Sequence, residues 1–202
     1  MKVGFIVECG PQGAESKVIP HLARMIGATL EIVEPITLDS KRLLKENCDR
    51  WARALLELGC RRVLIIWDLL PAWGEYEGTG CRHDDKEAIF QSLRNAGLAP
   101  NDNRIRLVCI EKMLEAWLIA DEKAISDLLS TEAHRIPIRR VKSPESISDP
   151  KAFLMTQFRK SGGRFRRYED RIHAIQIAQR IQNLTRLQRL ESFRRFEEKL
   201  MR

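Results

Sequence analysis

Long apolar runs are missing from these 202 residues, and none approaches the roughly 20 needed to cross a bilayer. The opening Met1-Lys2-Val3-Gly4-Phe5-Ile6-Val7 begins like a signal peptide but meets Glu8 and no small-residue cleavage site, which predicts a first buried strand instead. Cysteine is sparse: Cys9, Cys48, Cys60, Cys81 and Cys109 are odd in number, scattered, and contain no C-x-x-C. That pattern excludes a disulfide framework and suits reduced thiols in a cytoplasm. Cys81-x-His83 is one metal-like pair, too few ligands for zinc. Neither G-x-S-x-G nor a Ser-His-Asp order occurs, so serine-hydrolase chemistry has no support. Low-complexity tracts and repeats are absent as well.

What is present is ordinary globular composition, 44% hydrophobic and 31% charged, in a chain long enough to bury a core without staples. The formal charge of +7 is unevenly placed. Residues 159–202 carry 13 Lys/Arg against 5 Asp/Glu, whereas the remainder holds 22 against 23. A basic segment on a neutral core often contacts phosphates, and it can equally be a solvated helix face laced with ion pairs.

Periodicity predicts alternating strands and helices. Lys2 to Val7 reads as a buried strand, 15–26 as a helix stopped by Gly27, and Thr29 to Ile36 as a second strand. Asp39 or Ser40 caps a helix to about Leu58, which Gly59 ends. Arg62 to Trp67 is the clearest strand; a glycine-rich loop 71–80, a helix 84–96 and a fourth strand 104–110 follow. The stretch 111–129 reads as helix, broken near Asp121. The expected fold is α/β, a parallel sheet of about four strands flanked by helices with right-handed crossovers. A core of 1–130, an irregular linker of 131–148 and a basic helical extension of 149–202 are the expected divisions.

In open parallel sheets ligands bind beyond the carboxyl ends of strands. The first strand exits at Glu8, the third at Asp68, and the fourth leads into Glu111 and Glu115, read as one turn apart on a helix. Carboxylates gathered from separate segments repel unless a cation neutralises them, and an oxygen-only set suits Mg²⁺ or Mn²⁺. Metal-assisted phosphoryl transfer or phosphodiester cleavage is the chemistry such a site offers. Taken singly, each acid is also readable as loop polarity, a turn former or a solvated helix residue. The loop Gly10-Pro11-Gln12-Gly13 matches neither G-x-G-x-x-G nor a P-loop, and Glu15 in the following helix would repel a bare phosphate. Asp84 and Asp85 read as helix caps or as additional metal ligands, with His83 a candidate proton carrier.

These same residues carry a resemblance. Glu8-Cys9-Gly10-Pro11-Gln12-Gly13-Ala14-Glu15 resembles the E-G-x-x-E entry of Toprim-like proteins, and Ile66-Trp67-Asp68-Leu69-Leu70 falls where they place D-x-D. Residues 111–121, Glu-Lys-Met-Leu-Glu-Ala-Trp-Leu-Ile-Ala-Asp, look like the E-A-W-L-x-A-D signature of an uncharacterised bacterial family related to the Toprim domains of OLD-type nucleases; 192–200 is similar to its closing helix. The resemblance implies a Toprim-like core in which Glu8, Asp68 and Glu115 hold Mg²⁺ or Mn²⁺, with Glu15 and Glu115 as general acid or base. It implies nucleic acid as substrate, a nuclease or related phosphotransfer activity, and a role in defence against foreign DNA. Leu70 replaces the second aspartate, and the Glu8–Glu15 spacing is longer than usual. Arg164, Arg166, Arg167 and Arg171 are the expected nucleic-acid contacts. A non-catalytic module binding nucleic acid, a protein partner or a second copy of the chain is the alternative, with Trp67, Trp73, Tyr76 and Trp117 as stacking surfaces. A small-molecule phosphatase would share the metal site and leave the tail unused.

Overall fold

The computed structural model describes residues 1–70, 82–98 and 102–202. The apolar run at the start becomes β1 (Lys2–Val7), and chain order continues α1 (Glu15–Ile26), β2 (Glu31–Ile32), β3 (Ile36–Thr37), α2 (Lys41–Glu57) and β4 (Arg62–Asp68). Next come α3 (Arg82–Asn95), β5 (Ile105–Ile110), α4 (Leu114–Ile119), α5 (Glu122–Leu129), α6 (Pro150–Phe158), α7 (Asp170–Ala178) and α8 (Glu191–Met201). All strand pairs are parallel, in the order β2-β1-β4-β5 with β3 also on β1. This is the expected α/β class in a Rossmann-like arrangement, with five strands among the described residues. The extra strand is the expected 29–36 strand split in two: Val33 still bonds to Val3, but Pro35 has no N–H to donate, and pairing resumes at Ile36.

Side chains alternate across the sheet. Val3, Phe5, Val7, Leu64, Ile66, Val108 and Ile110 enter one buried cluster with α1 and the later helices. Ile6, Val63, Ile65, Trp67, Leu107 and Cys109 enter the other, under α2 and α3. Burial on both faces explains why the strands read as continuous apolar runs. Trp67 and Trp117 are core residues, 2% and 0% exposed, and offer no stacking surface; Trp73, Tyr76 and Cys81 lie outside the described residues.

Local chemistry sets the boundaries. Ser40 caps α2 by accepting from Leu43 N at 3.1 Å, and Gly59 takes a positive φ of 87° at its end. The expected helix 111–129 is instead α4 and α5. Lys112 has a φ of 65° and Met113 is extended, so helix begins only at Leu114. Asp121 then caps α5, accepting from Lys123 N and Ala124 N. Glu111 therefore does not share a helix face with Glu115, and its carboxylate pairs with Arg82 and Arg195.

Packing runs straight through the expected boundaries at 130 and 148. Ile136 and Ile138 are buried, and Glu145 caps α8 by accepting from Glu191 N at 3.2 Å and Ser192 N at 3.0 Å. Ser192 also accepts from Trp117 Nε1 at 2.7 Å. Phe193 and Phe196 stack around Trp117 at ring distances of 5.0 and 5.4 Å, and Phe196 reaches Phe5 of β1 at 6.5 Å. The C-terminal helices thus complete one face of the sheet. Phe196→Ala is expected to cost about 3–5 kcal/mol of stability, read as a lowered urea midpoint; an unchanged midpoint would show that α8 is dispensable to the core.

Candidate functional site

β1 leads to β2 and β3 on one side of itself, while β4 and β5 lie on the other, so its exit and that of β4 flank a topological switch point. Val7 pairs with Ile66, which brings Glu8 and Asp68 out at neighbouring levels. A cavity of about 570 Å³ opens there, reached by Glu8, Glu15, Asp68, Lys41, Lys151 and Asp170.

The loop after β1 is shaped by close approach. Gly13 N donates to Gly10 O at 2.8 Å, and a Cβ on Gly13 would come within 2.3 Å of Cys9 Cβ. This tight turn delivers Glu15 to the first position of α1, at the cavity wall. The opposite wall is Asp39, held at a φ of 63° that aspartate tolerates, with its N–H on Cys9 O at 3.1 Å. Lys41 follows, buried, donating to Leu69 O at 3.0 Å and paired with Asp85 at 3.5 Å.

The floor comes from β4 and α4. Leu70 N donates to Lys112 O at 2.7 Å, and Leu114 N donates to Asp68 Oδ2 at 3.2 Å, so Asp68 itself anchors the start of α4. Glu115, the next residue, is consequently buried, 2% exposed. It accepts from Tyr168 Oη at 3.3 Å and lies 3.9 Å from Lys151 Nζ, which also binds Asp170 at 2.8 Å.

Residues 12–201 match a family described as a domain of unknown function (DUF4276). The chain belongs to that family. The match takes in Glu15, Asp68 and Glu115 and begins just after Glu8. Among curated proteins and among solved structures nothing matches.

Four acids of this DUF4276 chain therefore share one electrostatic environment. Burial drives the Glu8 carboxyl up to about 8, opposed by Lys41 and the Asp68 backbone N–H and reinforced by Glu15 and Asp85. Burial, with Glu15, Glu8 and Glu115 nearby, holds Asp68 well above the usual carboxylate range. Glu115 is raised to about 7, again by burial first, with Lys151 opposing and Glu15 reinforcing. Glu8 Oε2 and Asp68 Oδ1 are buried with no hydrogen-bond partner among the described residues. A carboxylate oxygen so placed is costly unless it carries a proton or meets a cation. Among the described residues no three His, Cys, Asp or Glu side chains form a ready-made metal-ligand group. Two orphaned oxygens still fit Mg²⁺, which takes one or two protein carboxylates and completes its shell with waters and phosphate oxygens.

Other expected residues fall elsewhere. Asp85 is committed to Lys45 at 2.8 Å and accepts from Trp67 Nε1 at 3.1 Å, so it is a buried structural acid. Asp84 and His83 are exposed on the first turn of α3 and do not reach the cavity. Arg171 lines the cavity. Arg166 and Arg167 are exposed on the segment leading to it, Arg167 being 3.4 Å from Glu169, while Arg164 donates to Ser130 O. Much of the remaining tail charge is structural: Arg186 pairs with Asp121 and Glu122, and Arg195 with Glu111 and Glu191. Lys41, Lys151, Tyr168 and Asp170 were not legible as site residues, because no spacing in the chain ties them to Glu8 or Asp68. No helix among the described residues is long and apolar enough to cross a membrane.

Between its ordinary value near 4.5 and its folded value of about 8, Glu8 keeps a proton in the folded chain that the unfolded chain has released. Its contribution is thus most favourable below about pH 4.5 and declines as pH rises to about 8. Glu8→Gln is expected to melt near wild type at pH 4.5 and to be more stable by roughly 2–4 kcal/mol at pH 8.5 in a chelator. Thermal denaturation of both proteins across that range is the check, and a difference that stays flat with pH would refute the assignment.

Proposed function

We propose that this chain is a Mg²⁺- or Mn²⁺-dependent nuclease, or a related phosphotransfer enzyme, acting on nucleic acid through a Toprim-like core. The observation that carries the reading is the pair of orphaned, desolvated oxygens on Glu8 and Asp68, backed by Glu15 and Glu115 at the switch point. Glu8 and Asp68 would hold the ion, and a bound Mg²⁺ supplies stabilisation of charge on a phosphate and a more acidic water.

The chain's own residues supply the rest. Glu115, raised to about 7, sits where a carboxyl can take up or release a proton near neutrality, as a general acid or base requires. The Tyr168 hydroxyl fixes its Oε1, and Lys151 holds it against Asp170. Glu15, at the first turn of α1, is the further acid facing the cavity, available to orient a water. Arg171 at the rim, with Arg166 and Arg167 beside it, favours a phosphate backbone laid across the opening. Lys41, Lys151 and Arg171 stand among the acids that line the cavity, and residues 159–171 carry six Lys/Arg against two Asp/Glu.

Leu70, where a second carboxylate would stand, favours a second reading: a nucleic-acid or protein-binding module built on the same core, without turnover. Cleavage of plasmid and single-stranded DNA with Mg²⁺ or Mn²⁺ separates the two. Wild type is expected to cleave, Asp68→Asn to lose metal-dependent cleavage, and Glu115→Gln to slow by about 10²–10⁴-fold. Equal rates in Asp68→Asn and wild type would sink the enzymatic reading; DNA binding without cleavage under either metal would establish the module.

A further inference from the structure

A second charged feature lies across the sheet from the acidic cavity. Among the described residues no strand pairs with the outer edge of β5. A cleft of about 420 Å³ straddles that edge between α3 and α8, lined by Arg82 and Lys86 from one helix and Arg195 and Lys199 from the other. Lys199 Nζ donates to the outward carbonyl of Leu107, which fixes an ammonium at the edge itself. Burial lowers the Lys199 pKa, and Arg195, Lys86, Arg106 and Arg82 lower it further, so four other cations act on one ammonium. Glu111 and Glu191 pair with Arg82 and Arg195, while no carboxylate pairs with Lys86, Arg106 or Lys199 among the described residues. Among the described residues, the four cations that line the cleft face two carboxylates, Glu111 and Glu191, and leave it with an uncompensated positive field, the reverse of the cavity's.

We infer that the β5-edge cleft is a second phosphate-binding surface, which carries the backbone of the nucleic acid engaged at the acidic cavity. The inference rests on the proposed nucleic-acid function and extends its footprint. Geometry supports the continuity. Asp68 stands in register with Ile110 at the end of β5, and Glu111, the next residue, is the carboxylate to which both Arg82 and Arg195 are tied. The upper end of the cleft is therefore one strand away from the cavity floor, a spacing of about 4.8 Å. A backbone entering over Arg171 and crossing the switch point would continue onto Arg82, Lys86 and Lys199. Guanidinium forks mixed with ammonium groups suit phosphate oxygens, whose recognition needs no base sequence.

The test is equilibrium binding in EDTA, where no cleavage intrudes, of the full chain to a fluorescein-labelled 30-nucleotide single strand over a salt series. The variants are Arg82→Glu with Lys86→Glu, both lining the cleft, and Arg166→Glu with Arg167→Glu (the rim pair) on the exposed segment that leads to Arg171 of the cavity. Neither cleft position belongs to the acidic cavity, and near-ultraviolet circular dichroism verifies that each variant keeps its packing. The cleft pair is expected to weaken binding at least tenfold at low salt. It should also flatten the slope of log affinity against log salt by about 1.4, the loss of two single-strand phosphate contacts at roughly 0.7 each. An unchanged affinity and slope in the cleft pair, beside a clear loss in the rim pair, overturns the cleft and leaves the proposed function standing. A wild-type chain that binds no DNA at any salt overturns both. Loss of binding to a polyglutamate peptide but not to DNA in the cleft pair assigns the surface to an acidic protein partner and overturns the phosphate reading.

Discussion

Parallel pairing of β1 with β4, from Val3 against Arg62 to Val7 against Ile66, sets two strand exits level at the place where the sheet's connections diverge. Each exit carries a carboxylate, and one oxygen of each, Glu8 Oε2 and Asp68 Oδ1, is buried without a hydrogen-bond partner among the described residues. The desolvation of Glu8 and Asp68 is the constraint around which the neighbourhood is organised. Lys41 is buried beside Glu8, and Asp85 balances Lys41 while also pairing with Lys45. Leu114 N satisfies one oxygen of Asp68, and the other is left open. Desolvated, charge-coupled groups of this kind are enriched at functional sites.

The C-terminal third supports this site from outside. Tyr168 and Lys151 reach Glu115 from segments that sequence order places far from it, and α8 closes the sheet face through Phe193 and Phe196. Positive charge in the tail divides into two populations. Arg186, Arg189 and Arg195 hold helices and carbonyls together, whereas Arg171 lines the cavity, with Arg166 and Arg167 exposed on the segment leading to it. Ion pairing thus accounts for part of the basic tail, and the proposed phosphate contacts concern other residues of the same segment.

The expected strands and helices were recovered where one local rule dominated. Continuous apolar runs gave β1, β4 and β5, and Ser40 with Gly59 bounded α2. Errors arose where two rules competed. Pro35 split an edge strand that hydropathy alone joins, and the positive φ at Lys112 delayed a helix that periodicity starts at Glu111. That delay matters chemically. It turns Glu111 outward to two arginines and turns Glu115 inward to Tyr168.

By itself the amino-acid sequence determined the class of fold and the approach of Glu8 and Asp68, because both acids terminate buried strands and parallel strands must exit on the same side. Tertiary structure alone decided which other groups join them. Lys41, Lys151, Tyr168 and Asp170 come from helices and turns whose docking depends on long-range packing of side chains, and no periodicity encodes which helix end will face which strand end. Only the folded chain, likewise, assigned Asp85 to a buried ion-pair network and Glu111 to the surface, since the fate of a carboxylate is set by the partners that packing brings within reach.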